Sequence, residues 1–581
     1  MPDIVVTEAV RSNLQALITE MEHLLVRSAY STNMREARDC SSMVVDRYGR
    51  IVVVSKRGGA AEIYRRLIDS VLRKYGADGL HEGDVIISNH PYIAGVAHTP
   101  DLAVVNPVFV DGELAGFSCS IAHKPDFGGM VVGSASSKAT ELFQEGFLLP
   151  IVKLYDAGRH CAEVEEIILT NVRLPDLVLG DMRAQIGVNR VGAQRLEAIA
   201  RRYGTTGLYE AFDHMLDLTA RRLREEIRTW PDGVASVEGF LDNDGIELDK
   251  PVRLRVTVEV KGDSIAFDFS ASDDQTRGPV NIRPPHSEGA AYYALLCVAD
   301  PDLEFNDGVR EVVKFTYREG SVLDPLPPGP VGAATVVRHR LVDVLVEAMG
   351  MLRPQYLMGQ SGGSGGAMAI AWETNEAGVR RQLLQYEIFG TAMGARAVSD
   401  GVNGVSAHSV NLSITPIEIL ETQYPLLVRR FELIPDSGGA GEFRGGLSYR
   451  REYEVHAPVL VNRRADRNRF PSTGVAGGKP GRLGQMILNP GTEAEQQVAG
   501  IGQYELPAGG ALCVEGPGAG GYGDPHRRPA EAVLRDVARG YVSADAARED
   551  YGVAIDITTM TVDEAVTREL RGDVSEAVSA P

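Results

Sequence analysis

The run from Asn89 to Gly129, NHPYIAGVAHTPDLAVVNPVFVDGELAGFSCSIAHKPDFGG, constrains this chain more than any other stretch. Two apolar segments, Leu102 to Val110 and Leu114 to Ala122, flank Asp111-Gly112. Asp-Gly between two strand-like runs predicts a hairpin with a tight turn. One His-x-x-Asp pattern, His98 with Asp101, precedes the first strand, and a second, His123 with Asp126, follows the other. Antiparallel pairing brings those ends together, so two imidazoles and at least one carboxylate converge. Such donors suit Zn²⁺, Mn²⁺ or Fe²⁺, and with an open position they suit hydrolytic or Lewis-acid chemistry. One copy alone reads as strand capping and loop hydrogen bonding. Two copies framing one hairpin make a metal site the competing reading.

The rest of the chain must supply a scaffold. Its 581 residues exceed one compact core, so two to four domains are expected. A net charge of −20 argues against nucleic acid and anionic membranes as main partners, while leaving room for an anionic small substrate in a locally basic pocket. The five cysteines are scattered without C-x-x-C spacing, which predicts a reduced, cytoplasmic protein with neither a disulfide frame nor a thiolate zinc site. No signal-peptide pattern and no membrane-spanning apolar run is visible.

Read in order, the pattern gives a mixed α/β (α+β) chain. Apolar residues at helical spacing predict a helix over 7–30, with Thr7 as its cap. A short hairpin follows over 42–55, and Glu36 and Asp39 precede it as a solvated helix end. Further helices are expected over 62–75, 164–170, 180–203 (capped by Asp181) and 208–229. Glu145, in FQEGFLLP, is a site candidate whose plainer reading is an exposed turn acid. Helices give way to strands near Trp230-Pro231-Asp232-Gly233. A hairpin is expected over 252–269 and helices over 292–298 and 340–351. The arginines and His339 at the start of the last oppose the helix dipole and read as a surface cluster or an anion's neighbours. The expected units are a metal-binding catalytic domain (1–230), a β-rich domain (231–335), a glycine-rich mixed domain (336–528) and a short C-terminal helical tail (529–581), frayed after Val574. The glycine runs after Gly359 lack the G-x-x-x-x-G-K-[ST] phosphate loop, so close backbone packing or an interface is the expectation there.

These residues also resemble a known family. EARDCSS, NHPYIAGVAHTPDLAVVNPVF, AHKPDFGG, FQEGFLLPIVKLY, YYALLCVADPD, PDSGGAGEFRGGLSYRREY, RNRFPSTGVAGGKPG and GAGGYGDP resemble, in order, blocks of the B-type subunit of the hydantoinase B / 5-oxoprolinase family. That family includes ATP-dependent hydantoinases, lactamases and ketone carboxylases. The resemblance implies an A-type partner of actin-like fold that binds and splits ATP/Mg²⁺, in an (αβ)₂ heterotetramer. It implies one divalent metal on this chain, Zn²⁺ ahead of Mn²⁺. The ligands carry over to His98, Asp101, His123 and an acid of EARDCSS, for which Asp39 fits the motif better than Glu36. Two positions depart from the family pattern: His90 stands in Asn-Asp-Pro-Tyr, and Lys124 replaces the second His of His-His-x-Asp.

The implied activity is ring opening of a cyclic amide (a hydantoin, 5-oxoproline or a lactam such as caprolactam) driven by ATP. The metal would activate water, with Asp126, Lys124 and Glu145 as candidate catalytic residues. The alternative is an ATP-dependent carboxylase of the acetone or acetophenone type, in which the metal stabilises an enolate. A third reading is a structural subunit rigidified by its metal.

Overall fold

A computed structural model describes residues 4–55, 61–376, 379–408 and 412–572. Helix α1 (Ile4–Ser28) buries Val10, Leu14, Leu17, Ile18, Met21 and Leu25, an apolar stripe at helical period. Thr7 is buried inside this helix rather than capping it. A single turn, α2 (Thr32–Arg35), follows, capped by Ser31. Then come β1 (Cys40–Asp46), β2 (Ile51–Val54), α3 (Ala61–Tyr75), β3 (Val85–Ser88) and the turn α4 (Pro91–Ala94). His90 caps α4, its Nδ1 accepting from the Tyr92 amide at 3.2 Å.

The expected central hairpin is present as β4 (Asp101–Val110) and β5 (Glu113–His123). Asp111 and Gly112 both have positive φ, 51° and 84°, the backbone twist a two-residue hairpin turn needs. After β6 (Val152–Asp156) and β7 (Arg159–His160) the seven strands form one antiparallel sheet in the order β2-β1-β5-β4-β3-β6-β7. Helices α5 (Ala162–Thr170), α6 (Pro175–Tyr203) and α7 (Thr205–Ile227) follow. Asp181 lies inside α6, not at its cap. Its Oδ1 accepts the amides of Tyr30 and Ser31, at 2.8 and 3.1 Å, and so fixes the chain leaving α1.

The sheet separates two cores by strand alternation. Leu102, Val104 and Ala122 pack on the side of α1 and α6, while Ala103, Val105, Cys119 and Ile121 face the opposite core. That second core is shared with the next layer: β8 (Gly233–Leu241), β9 (Val252–Lys261), β10 (Ser264–Asp268), α8 (Pro284–Ala299), β11 (Val313–Thr316) and α9 (Ala334–Leu352). Its four strands run β11-β10-β9-β8. Helix α8 begins eight residues before the expected Tyr292, because Pro284 and Pro285 fit a helix's first turn.

The glycine-rich part contains two further large sheets. One pairs β12 (Ala367–Glu376) with β13 (Val379–Ile388), and β12 with Val459–Arg464, which pairs in turn with Ile501–Leu506. The other has five strands, and the two enclose a core around Met368, Trp372, Tyr453, Val461 and Leu512. The glycine runs permit close backbone packing, as expected: a Cβ at Gly520 would lie 2.0 Å from the Thr473 carbonyl oxygen. Short helices Ala530–Ala538, Ala544–Glu549 and Glu564–Arg571 close the described chain, and the tail after Val574 lies outside it. Among the described residues no helix is long and apolar enough to cross a membrane.

Candidate metal centre and its cavity

The hairpin register sets the site. Asp101 opens β4 and pairs directly with His123, which closes β5. Both share strand parity with Ala103 and Ile121, so both side chains belong to the face away from α6. His98 arrives from the loop preceding β4, its Nε2 3.4 Å from Asp101 Oδ1. The His98 and His123 rings are 5.0 Å apart, centroid to centroid, and His123 lies 4.6 Å from the Tyr386 ring of β13. One ligand atom each from His98, Asp101 and His123 fall within 4.8 Å of one another.

The donor set fits a divalent cation. His98 Nδ1 and His123 Nε2 are buried without a hydrogen-bond partner. The Asn33 side-chain amide of α2 lies 3.0 Å from His123 Nδ1; with its oxygen turned to accept from Nδ1–H it fixes the ring and leaves the Nε2 lone pair for the site. Burial, helped by His98, pushes the His123 imidazolium down to about 3, so the ring is neutral, as a ligand must be. Burial would raise the Asp101 carboxyl, but His98, by charge and hydrogen bond, and then His123 bring it down to about 2. Asp39 immediately precedes β1, and its carbonyl accepts the His123 amide at 3.1 Å. It lines the same cavity but falls outside the three-residue group. A second group, His81, Asp84 and Asp156, already holds a cation: Lys153 Nζ is 2.9 Å from Asp84 and 2.8 Å from Asp156.

The cavity beside this cluster has a volume of about 460 Å³, within the range of small-ligand sites. Its lining brings together Asp39, His98, Asp101 and His123 with residues that sequence reasoning did not place there: His286, Tyr293, Arg338, His339, Tyr386 and His408. His286, in the first turn of α8, is pushed down to about 3 by burial, then by Arg338, and its Nε2 is also buried without a partner. Arg338, His339 and Arg340 are buried in α9, which overturns their reading as a surface cluster. Arg340 pairs with Asp466 at 2.8 Å, while Arg338 and His339 face the cavity. The signal was in the sequence, since cations early in a helix need a reason.

The structure does not bring Asp126, Lys124 or Glu145 to the cavity wall. Lys124 has the parity of Ala122 and projects to the α6 side, where Nζ donates to Gln185 Oε1. It is fully buried, and burial lowers it to about 8. Asp126 accepts from the amides of Gly128, Gly133 and Arg173 and from the Arg173 guanidinium, all between 2.8 and 3.1 Å, so it organises the loop after β5. Glu145 is buried rather than exposed. Its carboxylate accepts the Val331 and Gly332 amides, and burial still pushes it up to about 7. Its carbonyl holds Thr99, next to His98, through a 2.6 Å hydrogen bond.

Comparison with known proteins places this arrangement. The sequence profile of the hydantoinase B/oxoprolinase family matches residues 3–525. The chain is 30% identical to the B-type subunit of a putative D-/L-hydantoinase of Pseudomonas sp. (strain NS671), over 98% of each chain. It is also 30% identical to the beta chain of the caprolactamase of Pseudomonas jessenii, over 98% of this chain and 99% of that one. The crystal structure of the ATP-dependent caprolactamase from Pseudomonas jessenii superposes with a TM-score of 0.90, at 28% identity, covering 98% of this chain and 99% of that chain. A nucleotide-free acetone carboxylase shares the fold at a TM-score of 0.86 and 18% identity, covering 99% of this chain and 84% of the other.

Proposed function

The chain belongs to the hydantoinase B/oxoprolinase family, as a B-type subunit, and from that premise we propose that it opens a cyclic amide in an ATP-dependent complex with an A-type partner. The observation that carries this reading is the buried His98–Asp101–His123 group on the wall of a histidine-rich cavity. Asp39, on the same wall, is the proposed fourth ligand. A divalent metal, Zn²⁺ ahead of Mn²⁺, would supply Lewis-acid activation of water and carbonyl at neutral pH.

The chain's own residues do the rest. Asn33 holds His123 in one orientation, and Thr99, tied to Glu145, holds the loop that carries His98. Tyr386, against the His123 ring, donates or accepts at the cavity wall, and Arg464 fixes its hydroxyl from behind at 2.7 Å. Amide resonance makes a lactam a poor electrophile. ATP cleavage on the A-type partner would activate it before this cavity completes the hydrolysis. A cytoplasmic (αβ)₂ assembly is the proposed working form. The alternative, carboxylation of a ketone, is favoured by the shared fold of acetone carboxylase alone.

The test is product analysis with the co-expressed A-type partner, ATP, and a panel of hydantoins, 5-oxoproline, larger lactams, and ketones with bicarbonate. Ring-opened product from a cyclic amide, lost in His98→Ala and His123→Ala together with the bound metal, is expected. A β-keto acid product would replace the hydrolase by the carboxylase. Full activity in either histidine variant would remove the metal centre from the reaction.

A further inference from the structure

On the wall of the same cavity, His408 meets a buried carboxylate. Its Nε2 lies 3.0 Å from Asp343 Oδ1 of α9, and both side chains are almost fully buried. Asp343 is itself held from three further directions. Arg467 Nη2 donates to its Oδ2 at 2.5 Å, the Ser361 hydroxyl to the same oxygen at 3.1 Å, and the Ser361 amide to Oδ1 at 2.8 Å. Burial works against the charge on Asp343, but Arg467, then His408 and the Ser361 amide, more than offset it, and the carboxyl stays well below its usual range. An ionised carboxylate only accepts, so His408 presents an Nε2–H to Asp343. Nδ1 is the ring nitrogen that can take up and release a proton.

His408 also occupies a backbone conformation that an L-residue adopts only when the surroundings impose it, with φ 52°. Tyr293 of α8 packs edge-on against its ring, 6.1 Å between centroids. Electrostatic neighbours place the dyad relative to the metal group: His408 and Arg338 act on His339, Arg338 acts on His286, and His286 in turn senses Asp101 and His98. Among the described residues, the titratable and charged groups around His408 include Asp343, His339, Tyr293 and Arg338, with Arg467 behind Asp343.

We infer that His408 is the proton carrier of this cavity, a catalytic residue, and that Asp343 is its positioning residue. The inference rests on the hydrolytic reading of the site. As water's oxygen bonds to the carbonyl carbon, its proton passes to His408 Nδ1. The carbon–nitrogen bond then breaks with its electron pair on nitrogen, and nitrogen takes that proton from His408. In this step the imidazole ends neutral and one water is consumed; the ATP of the proposed reaction is spent beforehand on the A-type partner, and no oxidant or reductant is needed. Asp343 fixes the tautomer and stabilises the imidazolium between the two transfers.

The test uses the full complex with its A-type partner. Asn tolerates the left-handed backbone at 408 better than most residues that carry a side chain, so His408→Asn is the informative variant. It should keep its metal content and thermal midpoint but lose at least 100-fold in ring opening per metal, with partial rescue by added imidazole. Asp343→Asn should lower kcat rather than raise KM and should move the limb of the pH profile that reports the imidazole. Ring opening within a few-fold of wild type in His408→Asn overturns the proposal. So does an unshifted pH profile in Asp343→Asn. A wild-type complex that opens no cyclic amide sinks the hydrolase reading instead. The dyad is then decided by diethyl pyrocarbonate labelling of the full chain, mapped by mass spectrometry. Modification of His408 that slows in Asp343→Asn supports an accessible, carboxylate-poised Nδ1, and an unreactive His408 overturns it.

Discussion

Asn33 and Lys124 show how a single side chain's direction decides its effect. Asn33 reaches His123 Nδ1 from α2. Replacing it by Ala should leave the fold intact but weaken metal binding by about 10- to 100-fold, since ligand orientation and basicity depend on such partners. Metal titration of the two proteins measures it. Lys124 lies one residue from His123 yet points through the sheet to Gln185. Its folded-state value, about 8, is below its ordinary 10.5, so the native state binds the proton less readily than the unfolded chain. Stability therefore rises as pH climbs from 8 towards 10.5, by on the order of 3 kcal/mol. Thermal midpoints across that window should rise for wild type relative to Lys124→Met, and parallel curves would refute the buried ammonium. Alternation along β5 separates the two neighbours, and that alternation was readable in IAHK once Ile121 was assigned to a core. What the sequence could not show was which core held the cavity.

At the scale of elements, one hairpin turn positions two ligands. Asp111 and Gly112 keep β4 and β5 in the register that sets Asp101 opposite His123. A one-residue slip would turn one of them towards α6. Gly112→Val places a β-branched residue at φ 84°, which should cost about 1–3 kcal/mol and reduce metal occupancy along with stability. Metal analysis beside a denaturation curve tests whether the two fall together. This hairpin, α3, α7 and the β9–β10 hairpin follow from period and turn chemistry, so they were legible. Helix α9 was legible as a helix but not as a cavity wall, because its exposure depends on β8 and α8, which pack on it from elsewhere in the chain. His408 carried no local signal at all: its partner Asp343 is 65 residues earlier, and only the fold joins them.

For the whole molecule, the glycine-rich segments act as tightly apposed backbone rather than as loops for phosphate. Gly520→Ala would push a methyl group against the Thr473 carbonyl, where neither backbone segment can give way. A loss of about 3 kcal/mol and of soluble yield is expected, measured by expression and thermal melting. The sequence marked these stretches as turn-dense, but which carbonyl each glycine faces is a long-range property.

The cavity's two kinds of wall are made at different times. The hairpin ligands end at His123, whereas His408 is about 285 residues further along. At a synthesis rate of about 5–20 residues per second, that gap lasts on the order of 15–60 s. A nascent chain can thus offer two imidazoles and a carboxylate to solvent well before the wall that carries the His408–Asp343 pair exists. Which ion it captures would then reflect the cell's free-metal pool during translation rather than the selectivity of the finished pocket.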